Sequence, residues 1–128
     1  MKLFILLGMA LISIPSIAQS YFNAEKLWQL NRLSGGDLSP DKKNILYSLT
    51  NYDMASNRGN TDLYVYNLEQ KKSIQLTQTP FSEFEAKWTN TGDIVFLSNE
   101  SGSVQIWKMN VTGKAKVQFS QIDNDIEG

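Results

Sequence analysis

The chain has 128 residues, enough for one domain, and its 41% hydrophobic and 20% charged residues have the balance of a folded protein, not a disordered or fibrous one. Twelve basic and thirteen acidic residues leave a net charge of −1, so no basic field exists to hold nucleic acid. Cys and His are both absent, which excludes disulfides and thiol chemistry and removes the usual general base and metal ligand. A hydrolase active site wholly inside the chain is not expected, nor is a cofactor or a metal.

Residues 1–18 read as an export signal. Lys2 supplies the positive start, an apolar run extends from Leu3 to Ile14, Pro15 breaks it, and Ser16 and Ala18 place small side chains before a cut after Ala18. The run is well short of the ~20 residues that span a bilayer. The mature chain is therefore expected in the periplasm or secreted, with no membrane span once the leader is removed.

Residues 19–37 form a short helical lead segment. Asn23 can cap a helix of about two turns over Ala24 to Leu30, with Leu27 and Leu30 on one face and Gly35-Gly36 ending it. From Leu38 onward the pattern changes to short β-rich runs separated by Pro, Gly, Asn and Asp.

Those runs repeat. Leu63, Tyr64, Asn67, Gln75, Leu76 and Thr77 fall on Ile106, Trp107, Asn110, Gln118, Phe119 and Ser120, each displaced by 43 positions. Upstream, Ile45 and Tyr47 match Ile94 and Phe96 at a displacement of 49. The extra residues of the first copy fall in "TNYDMASNRGNT", a polar stretch expected to be a lengthened surface loop.

Each unit reads as four strands: a lead-in ending near Leu38 or Trp88, then Ile45–Leu49 or Ile94–Leu97, Leu63–Leu68 or Ile106–Val111, and Ser73–Leu76 or Lys116–Phe119. Four short strands per ~43 residues is the spacing of a β-propeller blade. The fold class is all-β, with blade 1 over about 38–80, blade 2 over about 81–122 and the start of a third at about 123–128. Tyr64, Tyr66 and Leu68 match Trp107, Met109 and Val111 on one strand face, the face expected to press one blade against the next. Since propellers close with about 4–8 blades, two units predict an incomplete propeller whose remainder is a missing partner. The same segments could also fold as a small sandwich of eight strands.

"LSPDKKNILYS", "DLYVYNLEQKKSIQLTQTP" and "WTNTGDIVFLSNESGSVQIWKMNVTGKAKVQFS" resemble the blade phrases L-S-P-D-G-K-x-I-A-Y, D-L-W-V-x-D-L and W-S-P-D-G-x-x-I-A-F of TolB-like propellers. The resemblance is greatest to the N-terminal propellers of prolyl oligopeptidase family serine peptidases, and with the leader and "EKLWQLNRLSGGDLSPD" the chain is similar to the start of secreted dipeptidyl peptidases and acylaminoacyl-peptidases. It covers about residues 24–128. Lys42 stands where the family turn usually has Gly, and "TNTGD" lacks the turn's Pro and Asp while keeping Gly92.

The resemblance implies a gating and structural piece of an exported serine exopeptidase, with an α/β-hydrolase domain as missing partner and peptides as the parent's substrates. No G-x-S-x-G elbow occurs, so no residue here is assigned a catalytic role and no substrate-binding residue is named. The alternative is a non-enzymatic periplasmic TolB-like propeller that binds proteins or surface glycans. TolB carries an α/β domain before its propeller, and the lead segment between Ala18 and Leu38 is too short for one.

Other signals weigh less. "DNDIEG" at Asp123–Gly128 resembles the opening of a calcium loop but reads better as a solvated connection between blades. Asn99-Glu100-Ser101 and Asn110-Val111-Thr112 match a common glycosylation tripeptide and are left unassigned. Trp88, Trp107, Tyr64 and Tyr66 sit at strand positions and are expected to pack, whereas Trp28 is undecided. Glu83 and Glu85 alternate with apolar residues before Trp88, toward an axial channel or a solvated strand entrance.

Overall fold

The computed structural model describes residues 23–126; the expected leader and Glu127-Gly128 lie outside the described residues. The chain begins there with helix α1 (Ala24–Gln29), capped as expected by Asn23, whose Oδ1 accepts the Lys26 N–H at 2.8 Å. No residue of this helix is buried, Leu27 included, and Leu30 just after it is exposed as well. So short a helix gains little from its own hydrogen bonds.

Gly35-Gly36 does not end it. The helix stops at Leu30, and strand β1 (Arg32–Leu38) begins at once, with the two glycines forming a bulge inside it at φ 72° and 153°. A glycine pair serves a left-handed bulge as readily as a helix stop, and here the pairing of Arg32–Leu38 with the next strand decides between them. Residues 32–37, expected in the lead segment, thus lie in the first sheet.

Two four-stranded antiparallel sheets follow. The first orders β1, β2 (Asn44–Asp53), β3 (Arg58–Asn67) and β4 (Lys72–Gln75); the second orders β5 (Glu83–Trp88), β6 (Ile94–Ser98), β7 (Gln105–Met109) and β8 (Val117–Gln118). The four strands expected in each unit are all present, each sheet a simple meander.

The polar stretch "TNYDMASNRGNT" is not a surface loop. β2 and β3 stay paired from Asn44↔Asn67 out to Asp53↔Arg58, so the inserted residues lengthen a hairpin into an arm. Its tip is closed by Asp53, whose carboxylate accepts the N–H groups of Ala55 (3.1 Å) and Ser56 (3.3 Å) and the Ser56 hydroxyl (2.6 Å). Along the arm the Thr50 and Thr61 hydroxyls bond each other at 2.9 Å. Cross-strand hydrogen bonds and β-branched pairs carry the pairing where no apolar alternation marks it.

The core lies between the sheets. Strand alternation turns Leu46, Leu63 and Val65 of the first sheet toward Ile94, Phe96 and Met109 of the second, all buried, with Leu76, Ala86, Trp88 and Trp107 at its margin. Trp107 and Met109 therefore face the neighbouring blade as expected, but their counterparts Tyr64 and Tyr66 lie on the far side of the first sheet, where Tyr64 stacks on Tyr47 at 5.5 Å. Leu68 and Val111 lie past the ends of β3 and β7 and are each 40% exposed, so neither extends the packed face.

The turns between first and second strands solve one geometry twice. In "SPDKKN" the Ser39 Oγ accepts the Asn44 N–H at 2.9 Å, and in "TNTGD" the Thr89 Oγ1 accepts the Asp93 N–H at 3.0 Å. Gly92 sits at φ 84° in the second; Lys42 takes the left-handed conformation, φ 59°, in the first. A left-handed non-glycine costs roughly 1 kcal/mol, which the Ser39 and Asp41 hydrogen bonds of that turn offset.

Candidate functional site

The inner strands β1 and β5 run side by side, and both carry a bulge at the repeat-equivalent place: Gly35 at φ 72° and Glu85 at φ 50°. Between the bulges lies a recess of about 80 Å³, bordered by Ser34, Gly36, Tyr47, Phe84, Glu85 and Lys87. Asp37 ties the two strands together below it. Its carboxylate accepts the Trp88 backbone N–H at 2.8 Å, and its carbonyl accepts the indole N–H of the same residue at 3.2 Å.

The structure separates Glu83 from Glu85. Glu85 is exposed on its bulge, at the border of the recess. Glu83, repeat-equivalent to Leu33, is instead fully buried between the sheets, neither at a channel nor at a solvated entrance. Its Oε1 accepts the Thr79 hydroxyl at 2.8 Å and the Lys116 ammonium at 3.2 Å. Lys116 also pairs with Glu100 and lies 5.1 Å from the Trp107 ring centroid and 5.9 Å from that of Phe96. A carboxylate already held by an ammonium over two aromatic faces is a structural ion pair.

Trp28 is 42% exposed and meets Tyr52 of the arm edge-on at 5.6 Å. The Arg32 guanidinium stands 5.3 Å from the Trp28 centroid and 4.6 Å from that of Tyr52, so this tryptophan fastens the helix to the arm. The two glycosylation tripeptides also have structural work. Asn99 Oδ1 accepts the Ser82 N–H at 3.1 Å, and Asn110 Oδ1 closes the β7–β8 turn on the N–H groups of Thr112 and Lys114. Asp125 Oδ1 accepts the Val104 N–H at 2.6 Å, and among the described residues no group of three or more His, Cys, Asp or Glu is placed to hold a metal ion.

The recess also carries two hydroxyls, Ser34 and Ser48. Ser34 and Ser48 bond each other at 3.0 Å, with no histidine to activate either.

The chain is 31% identical over 113 residues to dipeptidyl-peptidase 5 of Porphyromonas gingivalis, a stretch that covers 82% of this chain and 16% of that protein. Among solved structures it superposes on the acylaminoacyl peptidase of Pyrococcus horikoshii with a TM-score of 0.60 at 17% identity, covering 72% of this chain and 14% of that one. It matches a putative TolB from Agrobacterium tumefaciens with a TM-score of 0.57 at 19% identity, covering 73% and 31%. The two sheets are TolB-like propeller blades, of the kind that prolyl oligopeptidase family peptidases carry. No protein-family model matches the chain. The chain spans only 16% of the length of the curated relative it matches.

In these TolB-like blades one hydrogen-bonded device is built twice, and the sequence reading missed it. Thr77 Oγ1 accepts the Leu63 N–H at 2.9 Å and donates to Asp62 at 3.3 Å; 43 positions on, Ser120 Oγ accepts the Ile106 N–H at 2.8 Å and donates to Gln105 at 2.8 Å. Gln105 goes on to grip the following connector through the Ile122 N–H and the carbonyls of Ile122 and Asn124. Asp62 holds the inter-blade connector in the same way, by the Thr79 N–H. The Thr–Ser and Asp–Gln repeat pairs were the available signal.

Burial pushes the Asp62 carboxyl up from the usual carboxylate range, against the Thr79 N–H and Thr77 hydroxyl, which lower it. A carboxyl raised in the folded state binds its proton more tightly there. Its contribution is therefore most favourable below about pH 3.9, the unfolded value, and declines as pH rises from there through the raised folded value. Asp62→Asn is expected to remove that decline: the stability difference between variant and wild type should shift toward the variant between pH 3 and pH 7, read from urea midpoints. A difference that stays constant with pH refutes the assignment. Exposed Asp41 and Asp53 and half-buried Asp93, held down by hydrogen bonds from Ser39, Ser56 and Lys108, titrate in the opposite direction in both proteins and cancel from it.

Proposed function

We propose that the chain is the N-terminal propeller portion of an exported serine exopeptidase of the dipeptidyl or acylaminoacyl type, a structural and substrate-gating part without catalytic residues of its own. The observation that carries this reading is the 31% identity over 113 residues with dipeptidyl-peptidase 5. The partners it calls for are further blades and an α/β-hydrolase domain that holds the triad, with peptides as the substrates of the whole. The leader over residues 1–18 supports a periplasmic or secreted location; among the described residues no helix is long and apolar enough to cross a membrane. The recess between the β1 and β5 bulges is the part of the propeller's inner surface supplied here, with Glu85 and Lys87 as its charged groups.

The experiment is to read the native gene past codon 128. Further copies at about 43-residue spacing, then a G-x-S-x-G elbow with a later Asp and His, are expected, while the purified 128-residue chain should leave dipeptide and acyl-amino-acid reporters uncleaved. Repeats with no elbow would replace this reading with a non-enzymatic TolB-like propeller that binds proteins or surface glycans. Cleavage by the chain alone would overturn both.

A further inference from the structure

Each sheet is built from one continuous stretch of chain, β1 to β4 and then β5 to β8, so the chain enters and leaves each blade on the same rim. That rim holds helix α1, the tip of the arm and the segments that follow β4 and β8. Because the first blade keeps its own inner strand, a ring of such blades closes without exchanging a strand, and its last blade releases the chain on this rim too. A domain that follows the propeller therefore begins on the side to which the arm points.

The two rims differ in chemistry. Leu27, Leu30, Met54, Phe81, Phe119 and Ile122 are exposed on the arm's rim, with Met54 at the tip of the arm 56% exposed. The opposite rim consists of the mostly polar turns 39–43, 68–71, 89–93 and 110–116, where Leu38, Leu68 and Val111 are the exposed large apolar residues described. The arm is also stiffer than its length requires. A two-stranded hairpin standing alone in water is marginal, yet this one is held by Asp53 at its tip, by the Thr50–Thr61 hydroxyl pair along its length and by Trp28 and Arg32 against Tyr52. A projection ordered before contact loses little freedom when it docks.

We propose that the β2–β3 arm is a docking arm for the α/β-hydrolase domain, with Met54 at its tip seated on that domain and the apolar side chains of the same rim facing it. The inference rests on the serine-peptidase reading, which supplies the domain, and adds to it which part of this chain makes the contact.

The test uses the complete gene product. The photoreactive residue p-benzoylphenylalanine is placed at Met54, or at Gln70, which is exposed in a turn of the opposite rim, and the adducts formed on irradiation are mapped by mass spectrometry. Adducts from Met54 to the domain that carries the G-x-S-x-G elbow are expected, and their loss at Gln70. Far-UV circular dichroism checks folding, and Ala55, also exposed at the tip, replaces Met54 if that variant fails it. Adducts confined to the blades, adducts to a second copy of the chain, equal adducts from both rims, or none from Met54 and Ala55 alike would overturn the proposal and leave the peptidase reading standing. A gene product without the elbow would overturn both.

Discussion

Lys116→Met is expected to destabilise the chain by about 3–5 kcal/mol, the range for removing one member of a buried ion pair. The cause lies less in the lost attraction than in what remains. Glu83 is fully buried, its Oε2 has no hydrogen-bond partner and its Oε1 keeps only Thr79 once the ammonium is gone. Methionine has nearly the length of the lysine stem and keeps its packing over Trp107 and Phe96, so the loss isolates the charge. The double variant Glu83→Gln, Lys116→Met should recover most of the difference, since the fully buried carboxylate is then neutral and only Glu100, which is one-third exposed, loses its ammonium partner. Urea titration of wild type, both single variants and the double variant at one protein concentration measures all four values. A double variant no more stable than Lys116→Met would show that Glu83 is not the group left stranded.

Gly113→Ala should cost about 2–4 kcal/mol, the sum of a left-handed backbone and an overpacked contact. Gly113 sits at φ 72° in the β7–β8 turn, and a Cβ there would lie 2.6 Å from the carbonyl oxygen of Leu76 in the neighbouring blade. That oxygen belongs to backbone whose own N–H is fixed on the Leu63 carbonyl at 2.8 Å, so the neighbour cannot swing aside as a side chain would. The repeat-equivalent Gln70 has no such neighbour, and Gln70→Ala is expected to stay within about 0.5 kcal/mol. Equal effects at the two positions, read from thermal or urea midpoints, would remove the close approach as the cause.

The order of the strands was legible because the repeat fixes it. Leu63 and Ile106, Ile45 and Ile94, and Tyr47 and Phe96 hold equivalent places in the sheets as in the sequence. Pairing also locates the inner strands, since Leu38 opposes Ile45 as Trp88 opposes Ile94. What failed was local. The arm looks like a loop in the sequence because Thr50–Asp53 and Arg58–Thr61 alternate no apolar face, so a strand held by its ladder alone leaves no hydrophobic period to find. Gly35-Gly36 looks like a helix stop because two glycines serve a stop and a bulge equally. The burial of Glu83 could not be read from "FSEFEAKW", where it looks like the solvated half of an alternation. Its partner lies 33 positions downstream, and only the fold brings Lys116 across the sheet to it.

The arm formed by the ends of β2 and β3 also breaks a symmetry. An array of near-equivalent units offers anything that touches its rim as many interchangeable orientations as it has units. One unit of the pair bears a projecting hairpin, with Trp28 and Arg32 fastened to its Tyr52, and the other turns back at once through Asn99–Gly102. Between the two units described, the hairpin is an index mark: a contact that includes the arm can be made with the first unit and not with the second.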